Sequence, residues 1–105
     1  MTPKKAIRYP ALPKELEGPG GTLTIVLKKE GIRHENTDCW GLYEPETRTI
    51  SLDARAKPRQ RWQTLYHELT HAAIIDAGLS NGLTEAMHEA ICDAIATARM
   101  RERFG

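Results

Sequence analysis

Three short stretches in the first half of the chain alternate apolar and polar residues: 22–28, 39–43 and 48–54. In the first of them Leu23, Ile25 and Leu27 share one face, which is the period of a half-buried β-strand. The polar link between the second and third stretches contains Pro45, which is typical of a hairpin turn. The pattern therefore predicts a small three-stranded sheet.

The period changes to that of a helix after Pro58. Residues 59–77 contain neither Gly nor Pro, and their apolar side chains recur at helical spacing: Trp62, Leu65, Leu69, Ala72 and Ala73. Gly78 is expected just past the end of this helix. Thr84, followed directly by Glu85, is expected to cap a second helix that runs to about residue 103.

The order of these elements predicts an α+β fold. Its small three-stranded sheet is expected to pack on a buried first helix and a second, C-terminal helix. Residues 1–21 hold four of the six prolines and three of the eight glycines, so we expect them to form an extended N-terminal segment. Residues 22–105 are then expected to form a single domain.

Composition narrows the classes of function. The chain has 105 residues, of which 28% are charged, and its formal net charge is +1. A total so close to neutral predicts no nucleic-acid or membrane-surface partner, and the arginines near the C-terminus are interpreted as a solvated helix end. No apolar run reaches the roughly 18 residues that cross a bilayer, and no signal-peptide pattern is present. We therefore expect a cytoplasmic protein.

Cys39 and Cys92 are too few for a disulfide framework, and we expect both to be free, partly buried thiols.

The motif with the most chemical content is His67-Glu68-Leu69-Thr70-His71. Residues four apart project from one face of a helix, so His67 and His71 can bind one zinc ion together. Zinc lowers the pKa of bound water to about 7, and Glu68, beside the first ligand, is expected to be the general base that accepts its proton. The spacing predicts a Zn²⁺ site with a hydrolytic function.

A catalytic zinc ion takes a third protein ligand and keeps one position open. Glu89 and Asp93 share a face of the second helix, so we expect Glu89 to bind the metal and Asp93 to accept the ring N–H of a ligating histidine. His88 is the alternative ligand. It lies about 100° around the helix from Glu89, so both cannot easily face the metal.

Two segments resemble the ImmA/IrrE-type metallopeptidases of bacteria and their mobile elements, which belong to the gluzincin group: 62–72, WQTLYHELTHA, and 89–96, EAICDAIA. The segments 40–43, WGLY, and 50–52, ISL, also resemble the two strands that precede the motif helix in these peptidases. The resemblance implies a minimal zincin-like domain with zinc held by His67, His71 and Glu89. It also implies cleavage of a protein, which in some members is a transcriptional repressor. Two differences are Thr70, where a small residue is usual, and the absence of a helix-turn-helix domain. The SprT-like group has a similar motif with a third histidine, which would be His88 here.

The sequence thus predicts a zinc metallopeptidase that hydrolyses a protein or peptide by a metal-activated water, with Glu68 as base. Its partner is expected to be a protein or peptide substrate, a regulatory protein being one candidate. Tyr43, on a strand expected beside the cleft, is the first candidate to donate a hydrogen bond to the oxyanion. Two other classes stay open: a non-catalytic zinc-binding regulatory or interaction module on the same fold, and a structural helical domain without metal.

Overall fold

The alternating stretches form strands, and further strands flank them. A computed structural model describes residues 7–105. Its strands are β1 Glu15–Gly18, β2 Gly21–Lys28, β3 Ile32–His34, β4 Thr37–Cys39, β5 Gly41–Glu44 and β6 Thr49–Asp53. Its α-helices are α1 Pro58–Asp76 and α2 Glu85–Phe104, and a short 3₁₀ turn, Ser80–Gly82, lies between them. The predicted α+β class is confirmed.

The main sheet has four strands in the order β1-β2-β6-β5, rather than the predicted three. β2 and β6 are parallel, while β1 and β5 pair antiparallel with their neighbours. The parallel pair makes β6 a central strand, and its Ile50 and Leu52 are fully buried. β3 and β4 form a separate hairpin.

Regular structure begins earlier than expected, within the predicted N-terminal segment. Glu15–Gly18 pairs with β2 through a tight turn, and Leu16 is the only large apolar residue of this strand. A strand with a single apolar residue shows no alternation of apolar and polar positions. The sequence pattern therefore did not predict it. Trp62 Nε1 also donates to the Pro10 carbonyl at 2.9 Å, which ties residues near the N-terminus to α1. Residues 1–6 lie outside the described part of the chain.

Helix α1 is the element that joins the layers. It begins with Pro58, whose ring fixes φ and which has no N–H to leave unpaired. It ends at Asp76, and Gly78 follows at φ +73°, the expected position after the helix. α1 packs on β5 and β6, while α2 packs mainly on α1. α2 is capped by Thr84, whose hydroxyl accepts the Met87 N–H at 3.1 Å.

Gly41 allows β5 to approach α1 closely. A Cβ at this position would overlap Thr64 Cγ2 of the helix and would lie 3.2 Å from the Ser51 carbonyl oxygen. Only a residue without a side chain therefore fits. The close approach brings β5 alongside the middle of α1, one turn before His67.

Arg48 ties three parts of the fold together. Its guanidinium donates to both carboxylate oxygens of Asp76, at 2.7 and 3.0 Å, and to the Gly21 carbonyl at 3.1 Å. Asp76 also accepts the Gly20 N–H at 3.1 Å. The β1–β2 turn, the β5–β6 link and the end of α1 thus share one ion pair.

Among residues 7–105, neither helix is long and apolar enough to cross a bilayer.

Asp76→Asn tests this ion pair. Arg48 holds the pKa of the Asp76 carboxyl below its ordinary value, mainly through their hydrogen bonds. A lowered pKa stabilises the fold above the ordinary carboxyl pKa of about 4, and this contribution is lost as the pH falls through the folded value. We expect the variant to lower the Tm by roughly 5 °C at pH 7.

The Tm difference between variant and wild type is expected to shrink below about pH 4. Glu46→Gln, which removes an exposed acid in the β5–β6 link, is the matched control and should leave the Tm unchanged. A difference that stays constant from pH 7 to pH 3 would contradict the role of the Asp76 charge.

Candidate metal centre

His67 and His71 lie one turn apart on the face of α1 that meets α2. Their ring centroids are 4.8 Å apart, and their Nε2 atoms approach to 3.1 Å. The side chains are only 19% and 16% exposed. The two Nε2 atoms therefore point at the same small volume between the helices.

Glu89 of α2 completes a set of three donors. Its Oε2 lies 3.0 Å from His67 Nε2, and its Oε1 lies 3.0 Å from His71 Nε2. Around a tetrahedral ion with bonds of about 2.0–2.1 Å, ligand atoms are about 3.3–3.4 Å apart. The observed separations are close to that value, so a small shift of these side chains accommodates an ion.

Each imidazole also has a partner at Nδ1, on the side of the ring away from the Glu89 carboxylate. His67 Nδ1 lies 2.8 Å from Asp93 Oδ1, and a carboxylate can only accept, so Nδ1 carries the proton. His71 Nδ1 lies 2.8 Å from His88 Nδ1. When His71 donates in this contact, both Nε2 atoms present lone pairs beside the Glu89 carboxylate. Such a convergence of acceptors is unfavourable unless a metal ion, or a proton on one of the nitrogens, lies between them.

His88 does not face the volume between the two Nε2 atoms. It contacts the opposite nitrogen of His71, its ring is nearly parallel to that imidazole with the centroids 4.7 Å apart, and its own Nε2 lies 3.5 Å from Ser80 Oγ. The residue that the spacing gave as the alternative ligand is thus placed to orient His71.

Cys92 brings a further donor that sequence reasoning treated only as a buried thiol. The ligating atoms of His67, His71 and Cys92 all lie within 4.8 Å of one another, so this cluster could hold a metal ion. Cys92 is fully buried, and burial, with Glu89 next in importance, raises the pKa of its thiol to about 12. Cys92 follows Glu89 by one helical turn and lies on the same side of α2. This spacing is the feature of the sequence that could have indicated Cys92 as a donor.

Glu68 is the buried carboxyl of the site, at 8% exposure. Burial raises its pKa to about 7; His67 and a hydrogen bond from the Tyr43 backbone N–H oppose the shift, and Glu89 adds to it. A carboxyl with this pKa exchanges a proton readily near neutral pH. It is thus suited to act as a general acid or base.

A cleft of about 570 Å³ opens over these residues. Its walls are α1, α2, strand β5 and the β3–β4 hairpin, which contributes His34 and Glu35. Glu68 and both histidines line it, so the candidate centre is open to solvent from one side.

The Tyr43 hydroxyl does not have the position expected of an oxyanion donor. The ring belongs to the hydrophobic core, and its Oη is buried without a hydrogen-bond partner among the described residues. Burial raises the pKa of this phenol, and the nearest charges acting on it are Arg48 and Asp76, which belong to the ion pair at the end of α1. Tyr43 reaches the site through its backbone N–H alone.

Comparisons with protein-family models, with curated proteins and with solved structures found no match to this chain. The resemblance to ImmA/IrrE-type peptidases accordingly rests on the motif residues themselves.

His67→Ala tests metal binding directly. We expect the wild-type chain, dialysed against zinc and then against buffer, to retain about one ion, and the variant to retain none. Zinc should also raise the Tm of the wild type but not that of His67→Ala, because an ion that binds only the folded state stabilises it. Elemental analysis and thermal unfolding measure both effects.

His34→Ala is the matched control, since this exposed histidine makes no contact with the donor set. It should bind zinc as the wild type does. Equal zinc content in all three proteins would exclude the proposed centre.

Proposed function

We propose that the chain is a zinc-dependent hydrolase that cleaves a protein or peptide. The observation that carries the proposal is the convergence of His67 Nε2, His71 Nε2 and the Glu89 carboxylate beside the buried Glu68, on the wall of an open cleft. Two imidazoles and a carboxylate are a donor set that zinc uses in hydrolytic sites. With three protein ligands, a zinc ion keeps its fourth coordination position open for water or substrate.

Zinc bound there would supply a Lewis acid and lower the pKa of water to about 7. In this proposal Glu68 accepts a proton from the attacking water and returns it to the leaving amine as the C–N bond breaks. Its buried position holds the carboxyl near the pKa that both transfers require. Asp93 and His88 hold the two imidazole rings in orientation through their Nδ1 atoms.

The cleft also supports a polypeptide substrate. β5 is the last strand of the main sheet, and its outer edge borders the cleft through Gly41, Leu42 and Tyr43. An extended peptide can pair with such an edge through backbone hydrogen bonds, which places its amide groups next to Glu68.

Glu68→Gln tests the catalytic role. The amide keeps the shape of the side chain but cannot accept the proton, so cleavage of a mixed peptide substrate by the zinc-loaded protein should fall by roughly 10²–10⁴-fold. Zinc content should be unchanged, because Glu68 is not among the proposed ligands.

Glu46→Gln serves here as the control for loss of an acidic residue outside the cleft. Cleavage by Glu68→Gln at the wild-type rate, with zinc bound, would remove Glu68 as the base, and no cleavage by the zinc-loaded wild type would remove the assignment as a hydrolase.

One observation favours a second function, a non-catalytic zinc-binding module. Cys92 lies close to both histidines, and a site of His67, His71, Glu89 and Cys92 would have four protein ligands and no open position. Such closed sites are structural. The module would act by binding a partner, and the acid–base properties of Glu68 would not matter to it.

Cobalt substitution distinguishes the two functions. The hydrolase is expected to give a Co²⁺ spectrum without a thiolate charge-transfer band, and Cys92→Ala should bind the metal with nearly unchanged affinity. A strong near-ultraviolet thiolate band that disappears in Cys92→Ala, together with a large loss of affinity, would instead establish the closed site. Absorption spectroscopy and chelator competition measure these effects.

A further inference from the structure

Trp40 is an exposed aromatic residue in the wall of the cleft. The residue is 54% exposed, whereas Trp62, the second tryptophan of the chain, is 4% exposed and belongs to the core. Five other large apolar residues are exposed in the described part of the chain: Ile7, Leu27, Leu79, Met87 and Ile95. None of these five lines the cleft. Trp40 is therefore distinguished by its position as well as by its exposure.

The stretch of wall that contains Trp40 is uncharged. Residues 39–43, CWGLY, line the cleft in succession. The carboxylates of the cleft lie on the two helices and in the β3–β4 turn instead: Glu35, Glu68, Glu85, Glu89 and Asp93. A group bound against Trp40 thus has Cys39 and Leu42 beside it along the wall, which favours an apolar group over a charged one.

Trp40 also borders a second cavity, of about 490 Å³, which shares Cys39 and Trp40 with the cleft. The other residues that line it are Asp38, Asp53 and Arg55. Asp53 and Arg55 bind each other through two hydrogen bonds between their side chains, both of 3.1 Å, so their charges offset each other. A large side chain therefore has room beside the indole on a surface of low net charge.

The backbone holds Trp40 in line with strand β5. Its carbonyl accepts the Asp53 N–H of β6 at 2.9 Å, so the pairing of the two strands continues one residue beyond Gly41. Tyr43, three residues further along, donates its N–H to Glu68. With a rise of about 3.3 Å per residue, Trp40 lies roughly 10 Å along the strand from the point where Glu68 meets it. An extended peptide covers this distance with about three residues.

We propose that Trp40 determines substrate specificity by binding a bulky apolar side chain about three residues from the bond that is cut. This inference rests on the proposed hydrolase function and on a peptide extended along the edge of β5. An indole offers a large apolar surface with only two side-chain torsions to order, and covering that surface removes it from water. Zinc and Glu68 would act on the peptide group, which every polypeptide has. Trp40 supplies the preference for particular sequences.

Cleavage of a mixture of peptides by the zinc-loaded full chain tests this preference, with mass spectrometry locating the cuts. We expect Leu, Phe, Tyr or Trp to be enriched at one position about three residues from the cut. For a peptide with this feature, Trp40→Ala should raise KM roughly tenfold and leave kcat within about twofold, because the lost contact is made equally in the ground state and the transition state. Trp40→Phe keeps an aromatic face and should restore most of the affinity.

A binding measurement separates this inference from the proposed chemistry. The probe is a blocked Gly-Ser peptide carrying Phe residues, added to the zinc-loaded Glu68→Gln protein, and a peptide without Phe is the reference. Covering Trp40 should shift the tryptophan emission to shorter wavelength with the Phe peptide alone. Trp40→Phe in the same background should lose the shift, since Trp62 is already buried.

Leu27→Ala is the matched control, because it removes an exposed apolar side chain outside the cleft. It should equal the wild type in KM and, in the Glu68→Gln background, show the full emission shift. Three results would overturn the proposal: an unchanged KM in Trp40→Ala, no emission shift with the Phe peptide, or enrichment of Lys and Arg at the position near the cut. The emission shift without any cleavage by the wild type would instead support the apolar site and remove the hydrolase function.

Discussion

Helix α2 packs antiparallel to α1, and different kinds of side chain meet at different points along this contact. At one end Arg103 covers Trp62, and further along Glu89 and Asp93 face His67. Neither helix alone presents a complete site, because the imidazoles and Glu68 come from α1 while Glu89 and Asp93 come from α2. The antiparallel packing therefore determines the candidate metal centre.

The polar groups between the helices also constrain the fold energetically. His67, His71 and Glu68 are largely removed from water, and such groups destabilise a protein unless each finds a partner. Asp93 and the Tyr43 N–H supply partners to His67 and Glu68. A metal ion bound by both Nε2 atoms and the Glu89 carboxylate would add a partner that both helices share. Metal binding and close packing of the helices are thus expected to reinforce each other.

The helices and the donor pair were predictable because they depend on local spacing. The i, i+4 rule places His67 beside His71 and Glu89 beside Asp93, whatever the rest of the chain does. The parallel pairing of β2 with β6 and the ion pair between Arg48 and Asp76 join residues far apart in sequence, so no periodicity indicates them. The orientation of Tyr43 depends on the same long-range packing.

The close approach of Gly41 to Thr64 has a consequence for any molecule that enters the cleft. Strand and helix meet there through backbone and a methyl group, with no flexible side chain between them. We therefore expect the spacing of these two walls to be fixed before an encounter. An incoming chain must adopt the shape of the cleft, so the conformational entropy lost on binding comes from the guest rather than from the host.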